Sequence, residues 1–130
     1  MKKVVIAGSA SLQDEIMKWR EYWQNQENHV VINYPVPIEK ENFANEYPKV
    51  HKEFFESILK ADILFIANED KKGIQGYIGA EVFAELVYGL MQNFLSNHKV
   101  EVILAKMPSS DVQSFEEVEL WMELGWIRVL

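Results

Sequence analysis

The sequence contains no cysteine, which excludes disulfide bonds, thiolate metal ligands and a cysteine nucleophile. Long apolar runs are also lacking, because no stretch approaches the ~20 apolar residues that a membrane-spanning helix requires. The short apolar run at residues 4–7 is well below the roughly 7–15 residues of a secretion-signal core. We therefore expect a soluble, cytoplasmic protein with no membrane partner.

Basic residues are in the minority, since 13 Lys and Arg stand against 20 Asp and Glu and give a formal net charge of −7. No cluster of basic residues interleaved with aromatics counters this charge. A negative surface repels the phosphate backbone of DNA or RNA, so a polymeric nucleic-acid partner is not expected. A single nucleotide is compatible with this charge, because backbone N–H groups can hold one phosphate locally.

Several catalytic signatures are missing as well. The three histidines, His29, His51 and His98, do not have the spacing of metal ligands, so no metal is expected. The G-x-S-x-G nucleophile elbow, the P-loop and the G-x-G-x-x-G fingerprint are absent, which disfavours a Ser-His-Asp hydrolase and a dinucleotide cofactor. We expect neither a metal nor another cofactor.

Apolar runs alternate with helical patterns along the chain, whose 130 residues suit one domain, 1–130. The run at 63–67 is continuously apolar, which is typical of a strand covered on both faces. This alternation predicts an α/β fold, a flavodoxin-like (Rossmann-like) three-layer sandwich with a five-stranded parallel sheet in the order 2-1-3-4-5. The predicted strands are 4–7, 30–32, 63–67, 100–104 and 126–130, and the predicted helices are about 12–25, 47–60, 80–97 and 114–123.

The first loop is the best candidate for holding an anion. In such a sheet, ligands bind at the carboxyl ends of the strands near the switch in strand order. The sequence Gly8-Ser9-Ala10-Ser11 offers backbone N–H groups, two hydroxyls and a positive helix terminus, which suit a phosphate. The alternative is that Ser11 merely caps the helix, with Asp14 standing in for the acid of a capping box.

A glycine-bearing loop precedes the third helix, with glycines at Gly73, Gly76 and Gly79. Glycine permits positive φ and a close approach of the backbone, which a mobile substrate-covering loop requires. The same spacing is also found in flexible surface turns, and both interpretations stay open.

The third helix carries acidic residues in its first turns. Periodicity predicts a solvated face containing Glu81, Glu85, Tyr88 and Gln92. The functional alternative is that one glutamate, lying near the strand ends, acts as a nucleophile or base. The core side is predicted to hold Phe83, Leu86, Val87, Leu90 and Phe94.

Four short pieces, spread over nearly the whole chain, carry a family resemblance. They are Ile6-Ala7-Gly8-Ser9, His51, Ala61-Asp62, and Gly76-Tyr77-Ile78-Gly79 leading into Phe83-Ala84-Glu85-Leu86. With these the chain resembles the nucleoside 2-deoxyribosyltransferase-like family, which includes the deoxynucleoside 5′-monophosphate N-glycosidases.

The resemblance implies an enzyme that cleaves or exchanges the N-glycosidic bond of a deoxynucleoside or its 5′-monophosphate. By motif position Glu85 looks like the family's nucleophile, which attacks the anomeric carbon and displaces the base. The resemblance further implies no cofactor, and a homodimer or larger homo-oligomer. The implied substrate contacts are Gly8, Ser9 and Ser11 at the sugar or phosphate, Asn68 and Asp70 at the base, and Gly76, Tyr77 and Gly79 in the loop before the nucleophile helix.

The chain also departs from the family pattern. Ile6 replaces a tyrosine of the first strand, Phe54 replaces an aspartate, and Gly76-Tyr77-Ile78-Gly79 replaces a D-x-G motif. Tyr77 is placed either to supply the missing hydroxyl or to pack its ring. These departures leave two other classes open: a non-catalytic nucleotide-binding or sensing module, and an interaction domain that binds no nucleotide.

Overall fold

A parallel sheet of five strands forms the centre of the computed structural model, which describes all 130 residues. The strands are β1 (Lys2–Gly8), β2 (His29–Asn33), β3 (Ile63–Ala67), β4 (Glu101–Leu104) and β5 (Ile127–Val129). They pair in parallel in the order β2-β1-β3-β4-β5. The predicted α/β, flavodoxin-like architecture and its strand order are confirmed.

Four helices cover the two faces of the sheet: α1 (Gln13–Gln24), α2 (Phe43–Lys60), α3 (Ala80–Leu95) and α4 (Phe115–Glu123), with a short 3-10 helix at Lys40–Asn42. α1 alone packs on one face, around Phe65 of β3. The other three helices share the opposite face, around Leu64 and Ile66. Because side chains alternate across a strand, β3 supplies both cores. The switch in strand order lies between β1 and β3.

α2 begins earlier than the sequence pattern predicted. The predicted start at Tyr47 put Pro48 in the first turn, whereas the helix begins at Phe43 and Pro48 lies inside it. Rings spaced four residues apart support the additional turn, since Phe43 stacks on Tyr47 at 5.0 Å between centroids and Tyr47 stacks on His51 at 5.2 Å. Burial of Phe54 further along holds the helix despite the hydrogen bond that proline cannot make.

Three apolar side chains of the helices are exposed. They are Val50 and Leu59 on α2 and Phe94 on α3. Phe94 was predicted on the core side of its helix, but it is 52% exposed. The ring of Phe94 packs edge-on against Trp126 at 4.8 Å. Helical periodicity gives the direction of the apolar stripe, but neighbouring elements decide how much of its width is covered. The remaining elements differ from the prediction only at their ends.

Gly89 brings α3 close to β3. A Cβ built on Gly89 would lie 2.6 Å from Leu64 Cδ2 and 3.6 Å from Ile58 Cγ2. A single added methyl group would therefore overlap a core that is already filled. Residues four apart share a face of a helix, so the close approach at Gly89 also draws Glu85 inward.

Candidate active site

A cavity of about 720 Å³ opens at the carboxyl ends of β1, β2 and β3. Its walls are the turn after β1, the loop after β2, the inner face of α2, the loop after β3 and the first turns of α3. It lies beside the switch in strand order, where open parallel sheets bind their ligands. Of the predicted site residues, the cavity brings together Gly8, Ser9, Tyr77, Gly79 and Glu85.

Glu85 is the buried acid of this cavity. It lies in the second turn of α3 with 7% of its surface exposed. Burial raises the pKa of Glu85 from 4.5 to about 8, and the negative charge of Glu81 adds to the rise. The carboxyl group is therefore mostly protonated at neutral pH. The solvated face predicted for Glu85 is wrong, because α2 packs against α3 and covers this side of the helix.

Glu81, one turn earlier on α3, is held by two side chains of α2. Glu81 Oε1 accepts a hydrogen bond from the Tyr47 hydroxyl at 3.2 Å, and it lies 3.4 Å from His51 Nδ1. That Nδ1 atom is buried and has no hydrogen-bond partner. Loss of hydration and then the charge of Glu81 raise the pKa of Tyr47. The cavity thus holds one protonated acid next to a second, hydrogen-bonded carboxylate.

Two lining residues were missed by the sequence analysis. Tyr47 has a usable signal, because Phe43, Tyr47 and His51 recur every fourth residue and so share one face of α2. Lys71 has no such signal, since a lysine in a polar loop is normally solvated. Its Nζ instead donates a hydrogen bond to Ser9 Oγ at 2.6 Å.

The turn after β1 contradicts one of the two predicted roles of Ser11, that of a helix cap. α1 begins at Gln13, and no side chain caps it, so the predicted cap by Ser11 is wrong. The Ser11 hydroxyl pairs with Ser9 Oγ at 2.9 Å. Gly8 and Ser9 line the cavity, whereas Ser11 is exposed outside its lining.

Asn68 and Asp70 fix the loop after β3 and lie outside the cavity lining. The buried Asn68 side chain donates to the carbonyls of Lys106 at 2.8 Å and Gly76 at 3.3 Å. Its oxygen accepts from the backbone N–H groups of Ala105 at 2.9 Å and Lys106 at 3.2 Å. The Gly76 N–H, followed by Lys106, lowers the pKa of Asp70. The amide and the carboxylate thus tie this loop to the end of β4.

The glycine-bearing loop packs closely against neighbouring backbone at Gly76. Gly76 has a φ of +63°, and a Cβ there would lie 2.8 Å from Pro108 Cα and 2.9 Å from the Met107 carbonyl oxygen. Tyr77 and Gly79 line the cavity, and a Cβ on Gly79 would contact the Tyr77 ring at 3.3 Å. Gly76 therefore allows its backbone to lie close to that of Met107 and Pro108, and this contact positions Tyr77.

Replacing Gly76 with alanine is expected to lower the free energy of unfolding by roughly 2–3 kcal/mol, because a Cβ adds backbone strain and meets backbone atoms that cannot rotate away. Gly73→Ala is the matched control, since Gly73 has a similar φ of +72° but nothing within 4 Å of its Cβ. Its cost should be about 1 kcal/mol. Urea unfolding of both variants measures the difference, and equal losses would contradict the close approach at Gly76.

Apolar packing occupies positions 6 and 54. Ile6 is fully buried in β1, and Phe54 of α2 is buried where it lines the cavity. Asp62 lies at the amino end of β3, where its carboxylate accepts the Lys3 N–H at 2.8 Å. The lining therefore contains glutamates but no aspartate.

No group of three or more His, Asp or Glu side chains is arranged to hold a metal ion. None of the helices combines the length and the apolar composition that crossing a membrane would need.

In comparisons with known proteins, no protein-family model matches this chain and no curated protein matches it significantly.

Proposed function

We propose that the cavity binds a deoxynucleoside or its 5′-monophosphate and that the protein cleaves or exchanges the N-glycosidic bond, with Glu85 as the nucleophile. The observation that carries this proposal is a carboxyl group buried in the wall of a large cavity at the switch in strand order. A buried acid with a displaced pKa in a cleft is typical of a functional site. The sequence resemblance assigns the same residue.

The proposed chemistry begins with ionised Glu85. A carboxylate oxygen bonds to the anomeric carbon of the sugar as the bond from that carbon to the base nitrogen breaks. The bonding electron pair leaves with the base, which takes up a proton from the solvent. Water or a second base then attacks the same carbon, and the bond from that carbon to Glu85 breaks and regenerates the carboxylate. The attacking water or base releases one proton to the solvent, so hydrolysis or transfer balances without a cofactor.

The proposed reaction requires Glu85 to be ionised. Because the pKa of Glu85 is about 8, few molecules carry the carboxylate at neutral pH. A nucleophile must be ionised, so base release should rise as the pH increases toward 8 and then level off. A general acid would give the opposite profile. The pH dependence of base release therefore shows whether Glu85 acts as a nucleophile or as a general acid.

The first experiment measures release of free base from a panel of deoxynucleosides and their 5′-monophosphates. The native protein should release base, and Glu85→Gln should reduce release to background while still binding the same ligands. Glu117→Gln, an exposed change on α4 outside the lining, should behave as the native protein does. Binding without release in the native protein, across the panel and from pH 6 to pH 9, would contradict the enzymatic proposal.

One observation favours the second candidate, a non-catalytic nucleotide-binding or sensing module. A protonated Glu85 is a hydrogen-bond donor at neutral pH, which suits recognition of a ligand better than attack on it. The lining also lacks the aspartates that the resembling enzymes carry. Ligand binding with no base release under any of these conditions would support the module over the enzyme.

A further inference from the structure

Charge is distributed unevenly around the cavity. Its lining contains six glutamates but a single Lys or Arg side chain, that of Lys71. The Lys and Arg side chains that lie within 4 Å of a carboxylate are those of Lys106 and Arg128, so the positive charge of Lys71 is not neutralised by a neighbouring carboxylate. An unpaired cation in an acidic cavity is a feature that protein stability alone does not require.

Lys71 is held at one end of the cavity. Its backbone pairs with that of Ile74 through hydrogen bonds of 3.1 and 2.9 Å. Its Nζ reaches Ser9 Oγ at 2.6 Å, so a lysine of the loop after β3 meets a serine of the turn after β1. Both groups can donate to the same anion, and the first turn of α1 lies beside them.

The two acids that precede Lys71 in the sequence are already engaged. Asp70 accepts the Gly76 N–H at 2.9 Å and lies 3.3 Å from Lys106 Nζ. Glu69 is engaged as well. Its Oε1 accepts the indole N–H of Trp19 at 2.7 Å, and its Oε2 lies 3.5 Å from Lys106 Nζ. This arrangement leaves Lys71 available to a ligand. The neighbouring Lys72 is exposed and does not line the cavity, although both ammonium groups lie at similar distances, 5.8 and 5.6 Å, from the Tyr77 ring.

We propose that Lys71 and Ser9 bind the phosphate of the substrate, and that the protein therefore selects a deoxynucleoside 5′-monophosphate over the free deoxynucleoside. This inference rests on the proposed function and names its substrate class. A phosphate monoester carries a charge of about −1.5 to −2 at pH 7. The net charge of −7 and the lining glutamates oppose that anion, so Lys71 decides whether the phosphate raises or lowers affinity.

A different element of the lining suits the base. The rings of Phe43 and Tyr47 belong to α2 and line the cavity, whereas Ser9 and Lys71 belong to the turn after β1 and the loop after β3. Aromatic faces stack on nucleobases regardless of base identity. The lining therefore offers groups for the anion and the aromatic ring of one ligand, and it also contains Glu85.

The test is a calorimetric binding series in the Glu85→Gln background, which prevents turnover. The ligands are the four common deoxynucleosides, their 5′-monophosphates, 2-deoxyribose 5-phosphate and inorganic phosphate. Lys71→Met should weaken monophosphate binding by roughly tenfold or more, as loss of a charge-assisted hydrogen bond implies. Nucleoside binding should change much less, so the preference for the phosphate should disappear or reverse.

Two further variants complete the design. Lys72→Met should leave every affinity unchanged, and Lys71→Arg should keep a preference for the phosphate. If Lys71→Met weakens the binding of 2-deoxyribose 5-phosphate and inorganic phosphate does not bind, the site recognises a sugar phosphate. Equal losses for nucleosides and monophosphates, or an unchanged preference in Lys71→Met, would overturn the proposal.

Failure of this inference can be separated from failure of the proposed function. Base release from nucleosides and monophosphates with equal efficiency would refute the proposed role of Lys71 but support the enzymatic function. Lys71-dependent binding of monophosphates without base release in the native protein would support the role of Lys71 and refute the enzyme.

Discussion

Glu85→Gln is expected to abolish most of the loss of stability that the native protein undergoes as the pH rises from 5 to 9. The pKa of Glu85 is raised from 4.5 to about 8 in the folded protein. Between these values the folded state binds the proton and the unfolded state does not, so stability falls as pH rises. The stabilising contribution is fully present below about pH 4.5 and is lost as the pH rises through 8.

The expected difference between the two proteins is large. A shift of this size corresponds to roughly 3–4 kcal/mol between pH 5 and pH 9, at 1.36 kcal/mol per pKa unit. Glutamine has the shape and neutrality of the protonated acid, so the variant and the native protein should have similar free energies of unfolding at pH 5. At pH 9 the variant should be the more stable. Urea unfolding at pH 5, 7 and 9 measures this difference.

Two comparisons make the result specific to Glu85. Glu117→Gln, on the exposed side of α4, should follow the native pH dependence. Glu81→Gln should reduce the difference only in part, because burial is the larger cause of the shift and the charge of Glu81 the smaller one. Curves that stay parallel for native protein and Glu85→Gln would show that Glu85 ionises normally.

Asn68→Ala is expected to lower the free energy of unfolding by roughly 3–5 kcal/mol. The substitution leaves the Lys106 N–H and the carbonyls of Gly76 and Lys106 without their side-chain partner. Each buried polar group left unpaired costs about 1–3 kcal/mol. Because the same amide ties the loop after β3 to the end of β4, the loop that carries Lys71 should also lose its fixed position.

Asn93→Ala is the matched control for this prediction. The Asn93 amide bridges the backbone of Val100 in the same manner, with bonds of 2.8 and 2.7 Å, but it is only partly buried and makes two bonds instead of four. Water can replace part of what is lost there, so the cost should be about 1–2 kcal/mol. Thermal and urea unfolding of both variants compares them. A smaller effect at Asn68 than at Asn93 would contradict its assignment as the anchor of the loop.

The fold could be predicted because its signals are local. Continuous apolar runs such as 63–67 and helical spacing between them determine the elements, and the handedness of parallel crossovers leaves few topologies. Exposure was less predictable. Phe94 and Glu85 were placed on opposite sides of α3, yet Phe94 is exposed and Glu85 is buried, because α2 decides which side of α3 is covered.

The site was predictable in outline only. The cavity lies at the strand ends where the architecture placed it, and Glu85 lines it, whereas the role of Glu85 as a nucleophile stays a prediction. The contact between Ser9 and Lys71 joins residues 62 positions apart, and no spacing rule connects them. Asn68 was predicted to lie near the base of a ligand. In the structure its side-chain amide bonds only backbone groups. No local sequence pattern indicates a buried amide of this kind.

The close approach of α3 to β3 at Gly89 links the packing of the core to the proton affinity of the cavity. A larger residue there would move α3 away from Leu64 and admit more water to Glu85, one turn earlier on the same face. The carboxyl group would then release its proton more readily, although no charged neighbour had changed. Gly89 does not line the cavity. The protonation state of Glu85 is therefore expected to depend on the volume of a residue outside the cavity lining.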